Sequence, residues 1–149
     1  MKVHTLQIPP EGRRIEGEDP SAMLDLHDDQ IVPLTPVHQV LDVGLSEGGL
    51  FATGELKVDL RLQCVACLET FRYPVRIEDF ACQVELNGSE MIDLTEPVRE
   101  DILLVLPPHP HCDWNGEKVC AGLTPEAASI PEPEVKPDVW NALDHLNLK

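Results

Sequence analysis

Positive charge and aromatic side chains are what this 149-residue chain has least of. Eleven Lys and Arg stand against 27 Asp and Glu, a formal net charge of −16. That balance argues against a protein that coats nucleic acid or an anionic membrane through clustered cations, and it favours basic partners. Three Phe, two Trp and one Tyr leave few platforms on which single-stranded bases could stack. No run approaches the roughly 20 apolar residues of a membrane span. Met1 to Pro10 hold no long apolar stretch and no small-residue cleavage site, so no signal peptide is expected and the expected location is cytoplasmic. There, five cysteines are expected as thiols or metal ligands rather than disulfides. No GxSxG, HExxH, phosphate-binding glycine loop or dinucleotide fingerprint occurs, so no enzyme is expected.

What is present divides the chain into three parts. Residues 1–36 read as an irregular N-terminal region. Lys2–Ile8 suggests a short strand, and Asp19-Pro20 the cap and first turn of a short helix with Ala22, Met23 and Leu26 on its apolar side. Residues 37–106 read as the core domain. Val37, Gln39, Leu41, Val43 and Leu45 alternate with His38, Val40, Asp42 and Gly44, a mostly half-buried strand, and Ser46-Glu47-Gly48-Gly49 makes a turn. Leu56, Val58, Leu60 and Leu62 continue the alternation on even positions, and Phe71, Tyr73, Val75 and Ile77 on odd ones. Pairing Leu62 with Phe71, Leu60 with Tyr73 and Val58 with Val75 places both apolar sets on one face. The apolar phase then moves to Phe80, Cys82, Val84 and Leu86, which calls for a bulge near Glu78-Asp79. Leu94, Val98, Ile102, Val105 and Leu106 recur at helical spacing until Pro107-Pro108, with Asp93 or Thr95 as cap. Residues 107–149 form a Pro- and Glu-rich segment. It is expected to loop over the surface or move freely to about residue 137 and to end in a short helix carrying Val139, Trp140, Leu143 and Leu146.

The expected fold class is α+β: an antiparallel sheet that could curl into a partly closed barrel, one packed helix, and a zinc-knuckle-like hairpin. Cys64-Val-Ala-Cys67 falls at the tip of that hairpin. Two cysteines separated by two residues on a tight turn can place both thiolates on one tetrahedral ion. Cys112 and Cys120 make a second pair, with His109 and His111 close enough in sequence to replace one thiolate. The expected site is structural zinc on Cys64, Cys67, Cys112 and Cys120; the plain alternative is reduced thiols without metal. A redox role for Cys64 and Cys67 is a further alternative, although a thioredoxin-like CxxC precedes a helix and Pro74 opposes one here. Cys82 shares the phase of Phe80 and Val84 and reads as a core thiol. His4, His27, His38 and His145 read as isolated surface groups, and Asp28-Asp29 as solvated surface.

Charge is not spread evenly. Residues 1–54 carry 9 acids and 3 bases, and residues 78–149 carry 15 acids and 4 bases. Residues 55–77 carry 3 acids and 4 bases, so the cysteine hairpin alone is not acidic. Lys57, Arg61, Arg72 and Arg76 all fall on its outward face, with Arg61 opposite Arg72, and are candidates for RNA or partner binding. The plain alternative is that Glu55, Asp59 and Glu69 neutralise them.

Cys64-Val-Ala-Cys67-Leu-Glu-Thr-Phe71 resembles the cysteine motif of the YceD-like family, the large ribosomal RNA subunit accumulation proteins. Ile92-Asp93-Leu94, then Glu100-Asp101-Ile-Leu-Leu-Val-Leu-Pro107 and Cys112, resemble its downstream helix and cysteine. Lys136-Pro137-Asp-Val-Trp140-Asn-Ala-Leu143 resembles its C-terminal segment. Ala66 stands where many members carry a basic residue, and Cys112 and Cys120 lie further apart than the second pair of some members. The resemblance implies a non-enzymatic ribosome-assembly factor supporting synthesis, processing or stability of large-subunit ribosomal RNA. With the charge, it implies a basic ribosomal protein or pre-ribosomal particle as main partner, RNA contact limited to the hairpin, and no membrane. The competing readings are a thiol redox protein and a zinc-stabilised binding module unrelated to ribosomes.

Overall fold

The alternation between residues 37 and 86 is realised as three long antiparallel strands. The computed structural model describes residues 1–46 and 48–123. The short helix expected from Pro137, with Trp140 and Leu143, and the rest of the Lys136–Leu143 motif lie outside the described residues. In chain order the strands are β1 (Lys2–His4), β2 (Arg13–Asp19), β3 (Ile31–Pro33), β4 (Val37–Ser46), β5 (Gly49–Gln63), β6 (Thr70–Glu85) and β7 (Met91–Asp93). The helix α1 (Thr95–Leu104) follows. The fold is α+β, with a five-stranded antiparallel sheet and a separate β1–β7 pair, and the sheet does not close into a barrel. Among the described residues no helix is long and apolar enough to cross a membrane.

β6 runs along one edge of β5, while β4 and β3 share the other. Leu62 faces Phe71, Leu60 faces Tyr73 and Val58 faces Val75. A slip of one residue would turn every apolar side chain to the wrong face, so burial specifies this register. Between the Gly54–Phe80 and Leu56–Ile77 pairs, Glu78 and Asp79 together oppose Glu55 alone. This is the expected bulge. Beside it Gly54 is required: its φ is +152°, and a Cβ there would meet the Val40 carbonyl oxygen at 2.1 Å.

The apolar face of the sheet is covered by α1, whose Val98 and Ile102 are fully buried, together with Leu24, Ile92 and Leu94. Arg99 Nε donates to the Leu24 carbonyl at 2.7 Å and ties the helix to the turn beneath it. Thr95 donates its backbone N–H to the Asp93 carboxylate at 2.9 Å, so Asp93 acts at the helix entry.

Residues 1–36 hold three strands. β2 pairs with β4 from Arg13–Val43 to Asp19–Val37. Its sequence, Arg-Arg-Ile-Glu-Gly-Glu-Asp, has one apolar residue, so an edge strand of this kind shows no alternation. The helix expected at Asp19-Pro20 is a 3₁₀ turn over Ser21–Leu24, and Leu24 is its buried residue. Asp19 is drawn into β2 by a hydrogen bond accepted from Gln39 Nε2 at 2.7 Å, and therefore does not cap that turn. Lys2–Ile8 is strand only as far as His4, after which Thr5–Gln7 form a 3₁₀ turn.

Candidate metal centre

The hairpin between β5 and β6 closes through a tight knuckle. Cys64 N–H donates to the Glu69 carbonyl at 2.9 Å, and Leu68 N–H returns to the Cys64 carbonyl at 3.0 Å. Closing that turn puts Leu68 at φ +62°, a region L side chains enter at a cost, and its side chain is 67% exposed. The CxxC spacing thus curls Cys64 and Cys67 toward the same side.

The second pair arrives on the segment after α1. Residues 107–123 do loop over the end of the sheet, but they are not free of it: Cys112 and Cys120 are buried there. Several contacts clip this loop to the hairpin. Val65 N–H donates to the Pro110 carbonyl at 2.9 Å. Lys118 pairs with Glu69. The Trp114 ring meets Tyr73 edge-on, with centroids 5.0 Å apart. Gly116, at φ +74°, reverses the chain between the two cysteines. At Gly122 the loop presses on the knuckle, since a Cβ there would lie 2.4 Å from the Ala66 carbonyl oxygen. Only glycine permits that approach.

These contacts gather Cys64, Cys67, Cys112 and Cys120 with all four Sγ atoms within 4.8 Å of one another. Cys64 and Cys120 are 3.7 Å apart at sulfur, and so are Cys67 and Cys112. A disulfide is about 2.05 Å, so these are separate thiols. Four sulfurs about 2.3 Å from a central tetrahedral ion would be about 3.8 Å apart, which matches the two close pairs. The donor set and spacing therefore fit a four-thiolate metal site. Neither His109 nor His111 joins the group. Cys82 sits apart, packed against the main core, where burial pushes its thiol up.

The four thiols are electrostatically unequal. Burial works against ionisation of Cys64, but backbone N–H groups of Cys67, Ala66 and Cys112 converge on its sulfur and bring it down to about 6. Cys112 is pushed up to about 12, first by burial and then by neighbouring sulfurs. Burial likewise raises Cys120. The Cys64 thiolate is held ready by backbone donors, whereas Cys112 and Cys120 resist negative charge without a cation among them.

The basic candidates occupy the opposite face of the hairpin. Lys57 pairs with Glu55 at 2.7 Å. Arg61 lies directly opposite Arg72, as the register requires. Asp59 has a different place from a loose neutralising acid. Its side chain is only 8% exposed and accepts from both Arg72 and Arg76, the latter at 3.0 Å. Burial opposes its ionisation, yet the two guanidiniums outweigh burial and hold its carboxyl below the ordinary range. An acid among four cations on the outward face of one hairpin, two on each strand, is the sequence signal for such an anchor. His27 is exposed, as expected, whereas His4 and His38 are half-buried with Nδ1 turned away from solvent. His145 lies outside the described residues. Asp28 and Asp29 are exposed.

No family model matches the chain, and no curated protein or solved structure is similar enough to identify a relative.

Proposed function

We propose that the chain is a non-enzymatic, cytoplasmic ribosome-assembly factor that supports accumulation of large-subunit ribosomal RNA, with structural zinc on Cys64, Cys67, Cys112 and Cys120. The observation that carries the zinc reading is the four-sulfur cluster joining the hairpin tip to the loop after α1. Zinc bound there supplies cross-linking free energy to a loop that has little apolar core of its own. The buried Cys64 and Cys120 sulfurs, with no helix after the CxxC, suit a closed structural site better than an exposed redox pair.

The ribosomal part rests on the resemblance of the Cys64–Phe71 motif, the α1 segment and Cys112 to the YceD-like family, together with the distribution of charge. The acidic segments on either side of the hairpin suit a basic ribosomal protein within a pre-ribosomal particle. The Lys57–Arg76 face is the part suited to RNA.

Depletion of the protein followed by measurement of both rRNA species tests the assembly role. A selective fall in large-subunit rRNA is expected. Unchanged rRNA, with zinc still present in the purified protein, would point to a binding module unrelated to ribosomes. Turnover in an insulin-reduction assay that is lost in Cys64→Ser would establish the redox reading instead.

A further inference from the structure

We propose that Arg61 and Arg72 form a two-guanidinium clamp for the phosphates of an RNA backbone, with Asp59 as its positioning residue. The inference deepens the RNA contact proposed above and rests on that reading for the source of the phosphate.

Arg61 and Arg72 are direct cross-strand partners on the outer face of the sheet, and both are exposed. Like charges set opposite one another cost stability, and among the described residues Arg61 has no ion pair to offset it. Such an arrangement is satisfied when an anion bridges the two. Guanidinium groups suit phosphate because their planar forks donate two parallel hydrogen bonds.

Asp59 sets the geometry. Its backbone is held on both sides: its N–H donates to Thr35 Oγ1 at 3.0 Å, and its carbonyl accepts from Leu34 N–H at 2.8 Å. From that fixed position the nearly buried carboxylate takes one donor from Arg72 and one from Arg76. Arg72 is 67% exposed, so its remaining N–H donors are directed to solvent beside Arg61. One carboxylate thus orients two cations and leaves the patch positive, in a chain of net charge −16. The neighbouring outer-face residues include Val32, beside Arg61, Pro74, opposite Asp59, and the Gln63–Thr70 pair. Two exposed guanidiniums side by side, with Lys57 and Arg76 on the same face beside a shallow depression next to Asp59, suit the repeated phosphates of an extended polyanion.

The test is fluorescence anisotropy of the full-length protein, zinc content verified, against a labelled single-stranded RNA at low salt. Arg61→Ala and Arg72→Ala should each weaken binding about tenfold and flatten the dependence of log affinity on log salt by about 0.7. Arg14→Ala, on the same face but paired with Asp42, should bind as the parent does. Asp59→Asn separates positioning from simple charge. Removing an acid should tighten RNA binding if net charge alone matters, and should weaken it if Asp59 orients the arginines. Where Asp59→Asn folds poorly by thermal melt, Asp59→Glu keeps the charge, displaces the carboxylate by one methylene, and should also weaken binding. Tighter binding by Asp59→Asn, parental binding by Arg61→Ala, or equal competition by polyglutamate would overturn the clamp. Absence of RNA binding alongside a selective loss of large-subunit rRNA on depletion would overturn the clamp alone and leave the assembly role standing.

Discussion

Cys64 and Cys120 lie 56 residues apart in the chain and 3.7 Å apart at sulfur. The first closes a hairpin, and the second ends an irregular loop beyond the helix. That single approach joins the hairpin tip to the loop beyond the helix, and it places all four thiols within reach of one ion.

Replacing Cys64 or Cys112 with Ser should therefore abolish stoichiometric metal, whereas Cys82→Ser should leave it intact. Elemental analysis of the purified variants reads this directly. Metal that survives both substitutions in the cluster would disprove the site. Chelation of the parent protein should open residues 107–123 to protease before the sheet unfolds, because the sheet has its own core.

Gly122 is the tightest point of closure. Gly122→Val should disturb the loop against the Ala66 backbone, costing about 1–3 kcal/mol, and should weaken metal affinity. Gly48→Ala is the control. It has open space around it and only a left-handed φ of +90°, so metal content should not change. Equal metal affinity in Gly122→Val and the parent would show that this contact does not hold the loop.

Asp59 makes a pH prediction with a definite sign. Its folded-state pKa lies below the ordinary 3.8, so its contribution to stability is present above that value and is lost as pH falls through the lower, folded value. The stability difference between the parent and Asp59→Asn should be constant near neutrality and shrink in acid, below about pH 4. Comparing the two proteins at each pH cancels protonation of the thiolates. A gap that stays constant down to pH 2 would mean that Asp59 has the same pKa in the folded and unfolded protein, and so gains nothing from the two arginines.

Leu68 combines a left-handed backbone with an exposed side chain. Leu68→Gly should leave stability unchanged or raise it by up to about 1 kcal/mol, because relief of the strained φ offsets the added freedom of the unfolded chain. Denaturant midpoints measured with metal present decide it. A loss of more than about 1 kcal/mol would show that the Leu68 side chain makes contacts the knuckle needs.

Much of the sheet was legible in the linear pattern because strand pairing in a hairpin is a near-neighbour event. Leu62 opposite Phe71 follows from alternation on both sides of a short turn, and the bulge at Glu78-Asp79 follows from the change of phase. β2 was not legible: with Ile15 as its only apolar residue, its pairing to β4 comes from the backbone. The CxxC half of the metal centre was visible for the same local reason as the hairpin.

The sequence alone determined the long strands, their register, the helix and the first two cysteines, since each is encoded by residues a few positions apart. Only the tertiary structure decided that Cys112 and Cys120 reach the hairpin tip without a histidine, and that Asp59 is a buried anchor for two arginines. Both arise from close approaches between distant segments, the Gly122–Ala66 contact and the Thr35–Asp59 hydrogen bond. Contacts of that kind leave no periodic trace, because they depend on how whole elements pack.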